Sequence, residues 1–119
     1  MKKGVVIFLI LIIGIIGIKG DTIIDLKGSL KVLKPKSSQT QQLEAILSES
    51  ELIVNFFDCL GNLTIEVVDE NGMTVFNQTV NTCVTNTISI NIKSWDAGNY
   101  IIRISDMGGG LMEGGFVIK

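Results

Sequence analysis

Beyond residue 42 the chain alternates. Leu52, Val54 and Phe56 share one parity, as do Leu63, Ile65 and Val67, then Ile88, Ile90 and Ile92, then Tyr100, Ile102 and Ile104. Between them stand residues such as Thr64, Glu66, Ser89, Asn91, Arg103 and Ser105. Successive side chains of an extended strand point to opposite faces, so each run presents one apolar row to one side. A helix would need an apolar repeat near 3.6 residues, and no window beyond residue 20 sustains one. Clusters of Gly, Asn, Asp and Ser separate the runs. Roughly seven strands so spaced predict an all-β fold, an immunoglobulin-like antiparallel β-sandwich, rather than parallel βαβ units, which need helices between strands.

The turns support this reading. Asp69-Glu70-Asn71-Gly72 is the strongest hairpin signal, because Asn and Gly tolerate the positive φ angles of a tight turn. The return strand is expected over about Met73–Val80. Leu43–Leu47, the polar turn Ser48-Glu49-Ser50 and the run Glu51–Phe57 read as two adjacent strands, with a helix over Thr40–Ser50 as the competing reading. Asp106–Gly110 makes a Gly-rich turn, and Phe116, Val117 and Ile118 form a last strand. Residues 21–42, with Pro35 and the polar run from Lys36 to Gln42, read as a poorly patterned lead-in holding an edge strand around Ser29–Leu33. The sandwich is expected over 43–119, and a chain of 119 residues has room for one such core.

The N-terminus belongs to a different class of segment. Lys2 and Lys3 precede an uninterrupted run of Gly, Val, Ile, Phe and Leu from Gly4 to Ile18, which Lys19 and Gly20 close before the first acid at Asp21. That order of charged, apolar and small residues is that of a secretory signal, here residues 1–20 with cleavage after Gly20. The rival is an uncleaved anchor, for which the apolar run falls short of the roughly 20 residues that span a bilayer as a helix. The expected destination is exported: periplasm, cell surface or medium, with the membrane met only during export. No cysteine follows the apolar run to take a lipid.

Without Lys2, Lys3 and Lys19 the chain holds seven basic residues against twelve acidic ones, a net charge of −5. Nucleic-acid binding calls for a clustered basic surface, and Lys27, Lys31, Lys34 and Lys36 in the lead-in read as a solvated tail instead. The two cysteines each follow a strand, and an up-and-down path brings those positions to one end of the sandwich. In an exported chain a Cys59–Cys83 disulfide is chemically reasonable, two buried thiols being the alternative.

A catalytic apparatus is hard to assemble from what remains. There is no histidine, which removes the usual general base and the commonest metal ligand. Two cysteines cannot complete a structural zinc site. Asp58, Asp69, Glu70, Asp96 and Asp106 fall at turns and strand ends, where solvated loop acids are expected. The Asp69–Gly72 turn invites a calcium reading, but the acid such a loop needs near position 80 is Val80. Neither Gly108-Gly109-Gly110 nor Gly114-Gly115 leads into a phosphate-binding helix. No catalytic residue, metal site or cofactor site is therefore assigned. For contact with a ligand, Trp95 offers a ring to a sugar or a plug for the core end, and Ile53, Phe57 and Ile101, expected on outer faces, make a modest apolar patch if adjacent. A partner surface and a covering N-terminal segment account for that patch equally well.

Four stretches carry a resemblance. Glu51-Leu52-Ile53-Val54-Asn55-Phe56, the run Leu63 to Gly72, Ile90-Asn91-Ile92 and Ala97-Gly98-Asn99-Tyr100-Ile101-Ile102-Arg103-Ile104 resemble the small secreted immunoglobulin-like proteins of unknown function abundant in Bacteroidetes. They are also similar to the C-terminal sorting domains of type IX secretion cargo. The resemblance implies a secreted or periplasmic, non-enzymatic module that works by binding a protein or glycan or by structure. The alternative it implies is sorting or surface attachment through the C-terminal strand.

Overall fold

The structure is a computed structural model that describes residues 21–31 and 42–119. The signal peptide expected over residues 1–20 and residues 32–41 of the lead-in lie outside that description. Among the described residues nine strands form two antiparallel sheets. They are β1 (Thr22–Ile24), β2 (Lys27–Ser29), β3 (Leu43–Leu47), β4 (Glu51–Phe56), β5 (Asn62–Asp69), β6 (Thr74–Asn81), β7 (Thr87–Asn91), β8 (Gly98–Asp106) and β9 (Leu111–Ile118). One sheet has the order β1-β3-β4-β7 and the other β2-β9-β8-β5-β6.

The alternating rows meet between the sheets. Leu43, Ala45, Leu52, Val54, Ile88 and Ile90 come from the four-stranded sheet, and Leu63, Ile65, Val67, Tyr100, Ile102, Ile104 and Phe116 from the five-stranded one. Leu52, Leu63, Ile65, Ile102 and Ile104 are each 0% exposed, and burying a side chain of this size contributes about 1.5–3 kcal/mol. Leu43–Leu47 forms a strand and not the helix that competed for it. Leu43 and Ala45 go inward opposite Phe56 and Val54, while Glu44 and Ile46 face outward. A Ser48–Glu51 turn closes this hairpin, with the Ser48 amide and hydroxyl both donating to the Glu51 carbonyl (2.8 and 3.0 Å). The β5–β6 hairpin turns at Asn71-Gly72 as expected, with Gly72 at φ 84°.

Seven strands correspond to the expected set, and two more come from the lead-in. The edge strand expected around Ser29–Leu33 lies earlier, as β2, and β1 precedes it. β1 pairs with β3 and β2 pairs with β9, so the chain passes from one sheet to the other through Asp25 and Leu26 and covers that side of the sandwich. Ile24 is 4% exposed and Leu26 packs against the core. Three residues per strand are too few to show alternation, which is why the lead-in reads as unpatterned.

The last strand begins at Leu111 rather than Phe116 and runs through Gly114 and Gly115. Gly114 in this strand and Gly110 just before it serve close approach. A Cβ on Gly114 would lie 2.7 Å from both the Asp25 carbonyl oxygen and the Ile24 Cγ2, and one on Gly110 would collide with the Lys31 amide. The N-terminal strap thus needs bare backbone beneath it. Asp106 fastens its end: one carboxylate oxygen accepts the amides of Gly108 (3.0 Å) and Gly110 (2.7 Å), and the other accepts the Lys31 amide.

Candidate functional site

The four residues proposed as a contact surface do not converge. Ile53 and Phe57 share the outer face of the four-stranded sheet, Ile101 lies on the outer face of the five-stranded sheet, and Trp95 sits in the β7–β8 connection at one end. Strand parity distinguishes inside from outside but does not say which sheet a strand joins, so it cannot tell that Ile101 lies on the other sheet from Ile53 and Phe57.

Trp95 closes the end of the core. Its ring stacks on Tyr100 at 5.4 Å, and Tyr100 stacks on Phe116 at 5.5 Å. The Tyr100 hydroxyl donates to the Asp96 carbonyl oxygen (2.6 Å). Burial raises the pKa of this hydroxyl, and the nearby Asp96, Asp69 and Glu70 push it the same way. The acids here are spent on turns: Asp69 Oδ1 accepts the amides of Asn71 (2.9 Å) and Met73 (3.0 Å), and Glu70 Oε1 accepts that of Asn99 (3.1 Å). Among the described residues no group of three or more Cys, Asp or Glu side chains is placed to hold a metal ion.

At the opposite end Cys59 and Cys83 form a disulfide, with Cα atoms 4.3 Å apart, joining the β4–β5 and β6–β7 connections. The Thr82 hydroxyl beside it accepts the Leu60 amide and donates to the Gly61 carbonyl oxygen, both at 2.7 Å. A bond of this kind fits a chain that folds in an oxidising, extracytoplasmic environment.

The outer face of the four-stranded sheet carries an apolar row. Register places Ile23 opposite Ile46 and Ile46 opposite Ile53, so three isoleucines form one row across β1, β3 and β4, continued by Ser89 on β7. Ile23 is 68% exposed, and Ile46 and Ile53 are half-buried. The next row is polar and fixed by side-chain bonds: Asn55 Nδ2 donates to Glu44 Oε2 (3.0 Å) and the Thr87 hydroxyl donates to Asn55 Oδ1 (2.8 Å). Beyond it lies Phe57, 53% exposed, whose amide donates to the Gln42 carbonyl oxygen (2.8 Å). Ile23 and Ile46 escaped the sequence reading because their membership of the row depends on strand register.

On the other outer face Ile101 pairs with buried Val68 and faces Gly115. Below it runs a ladder of opposite charges and amides, Lys27, Glu113, Arg103, Glu66 and Asn77, in which Arg103 Nε donates to Glu113 Oε2 at 2.7 Å. That face is polar in its middle and carries exposed apolar side chains toward both ends, Ile101 and Val117 at one and Leu111 at the other.

The model of the DUF3244 family, a domain of unknown function, matches residues 12–118. The chain belongs to the DUF3244 family. Among solved structures it is similar to a DUF3244 family protein with an immunoglobulin-like β-sandwich fold from Bacteroides vulgatus ATCC 8482. The identity is 17%, over 83% of this chain and 99% of that one, with a TM-score of 0.71. At that identity the likeness establishes the fold alone. No curated protein matches the chain. The resemblance read from the sequence, to an immunoglobulin-like family of unknown function, therefore holds for this DUF3244 chain, and its Bacteroidetes link is that of the structural neighbour.

Proposed function

We propose that this DUF3244 chain is an exported, non-enzymatic module that binds a partner protein through the outer face of its four-stranded sheet. The observation that carries this reading is the in-register row Ile23–Ile46–Ile53 beside the braced polar row Glu44–Asn55–Thr87. An apolar strip rimmed by oriented polar groups has the anatomy of a protein-contact surface. The strip is aliphatic, and its aromatic neighbour Phe57 stands beyond the polar row, which favours apolar side chains over a sugar ring as the ligand. Export is supported by the charged, apolar and small-residue order of residues 1–20 and by the Cys59–Cys83 bond.

The alternative is attachment through the C-terminal strand, which trimming that strand cannot test. β9 lies between β8 and β2, and its Phe116 is 6% exposed in the core, so trimming Phe116–Lys119 would damage the fold and not only alter localisation. The test is site-specific photocrosslinking in cells exporting the protein. A photoreactive residue at Ile53 is expected to give a discrete protein adduct, and one at Ser105, on the opposite outer face, is not. Equal labelling from both positions, or none from Ile53, would remove the reading.

A further inference from the structure

The free edge of the five-stranded sheet supports a second, independent inference. β6 is that edge, and among the described residues its one strand neighbour is β5. Natural proteins guard long edges with charge, proline or shortness. The sequence of β6, Thr-Val-Phe-Asn-Gln-Thr-Val-Asn, has eight residues with no charge and no proline. The pairing irregularity at Val67/Val68, where Val75 is passed over, affects its first residues, while Phe76–Asn81 pair with β5 without interruption.

The direction of the backbone groups follows from one bond. The Thr82 amide donates to the Gly61 carbonyl oxygen (3.0 Å), and in an antiparallel ladder alternate residues point their groups to the same side. Val80, Gln78 and Phe76 therefore turn toward β5, and Asn77, Thr79 and Asn81 turn their amides outward. The close pair of Thr64 and Thr79 hydroxyls (3.0 Å) fits this assignment, since non-hydrogen-bonded partners approach most closely.

We infer that this edge pairs with a second copy of the same chain, β6 against β6 antiparallel about a two-fold axis at Gln78. In this register Asn77 faces the second copy's Thr79 and Thr79 its Asn77, so the outward groups of these residues meet in hydrogen-bonded pairs. Gln78 faces itself. Phe76, half-buried on the inner face, meets the second copy's Val80, giving the apolar side chain at the sheet margin a partner. No like charges are brought together within the strand, although the chain is acidic overall, and a sheet of two five-stranded halves results. One strand from each copy forms an interface below the roughly 1,200 Å² of stable complexes, so the dimer is weak and concentration-dependent. The row on the four-stranded sheet stays free in it.

Sedimentation of the purified protein across a concentration series tests this. Wild type is expected to show a reversible monomer–dimer equilibrium. Gln78→Lys, placing two ammonium groups opposite each other, is expected to weaken it on the order of tenfold. Mixing the Gln78→Lys and Gln78→Glu proteins is expected to restore association as a heterodimer. Gln78→Cys is expected to form an intermolecular 78–78 disulfide on mild oxidation, identified by peptide mapping, because non-hydrogen-bonded partners lie at bridging distance. Ser89→Cys, exposed on β7, is the control and is expected to associate as wild type does but to form no intermolecular disulfide. A wild type that remains monomeric at all concentrations, or a dimer indifferent to charge at position 78, overturns the proposal. In the first case the edge would be left to a strand from another protein.

Discussion

The two sides of this sandwich are finished by different means. On one side the strap β1–β2 runs across the gap between the sheets, extends both by three residues, and buries Ile24 over bare glycine backbone. On the other side β6 and β7 end the two sheets, and the described residues add no further strand. The link there is covalent and lies at one end, where Cys83 in the β6–β7 connection is bonded to Cys59. The strap side is closed by fit and should punish any added atom. The β6 side is held from beneath and should accept changes on its rim, which is the property expected of a surface kept for contact.

The largest way to break this comparison is to remove the covalent tie. Replacing Cys59 and Cys83 with alanine is expected to cost about 3 kcal/mol, the loop-closure value for a separation of 24 residues. Urea denaturation measures the loss. Hydrogen exchange should show it concentrated in the β5–β6 hairpin, with the β1 and β2 amides little changed. Uniform loss of protection would mean that the two sides are not separately secured.

A glycine pair sharpens the contrast on the strap side. Gly114→Ala puts a methyl group 2.7 Å from the Asp25 carbonyl oxygen and is expected to cost about 2 kcal/mol through overpacking. Its neighbour Gly115 would meet only the Tyr100 carbonyl oxygen, at 3.8 Å, so Gly115→Ala is expected to stay within about 0.5 kcal/mol. Equal effects would show that glycine acts here through the unfolded chain rather than through the strap. Asp106→Asn is a smaller probe of the same side. It keeps Oδ1 for Gly108 and Gly110 but replaces the oxygen that accepts the Lys31 amide. A loss of about 1 kcal/mol is expected, with faster exchange at Lys31.

These two sides were unequally visible in the sequence. The rows of Leu52, Leu63, Ile88 and Tyr100 all became core because a strand with one buried face declares its parity in its own residues. The Cys59–Cys83 pairing was legible for a related reason, since both cysteines follow strands whose direction the hairpin sets. The strap was not. β1 and β2 are too short to carry a period, and the glycines that receive them look like turn formers until the crossing backbone is in place. The isoleucine row needed still more, because Ile23, Ile46 and Ile53 lie in separate strands and only register aligns them. Intrastrand information survives in the sequence, as do the neighbours that a tight turn joins; which strands distant in the chain lie side by side does not.

The smallest expected effect is also the most discriminating. Asn77 is exposed in β6 and points its backbone groups away from β5, so Asn77→Lys removes no core contact and no ladder bond of the monomer. Its effect on monomer stability, measured at dilution in urea, is expected within about 0.5 kcal/mol. A lysine there is the guard that natural edge strands commonly carry and that this one lacks. A protein that holds its stability yet loses concentration-dependent association would place the cost of the unguarded edge in binding and not in folding. A substantial loss of stability instead would mean that Asn77 is part of the monomer's own fabric, and the distinction between a fitted side and a permissive one would fail at its most exposed residue.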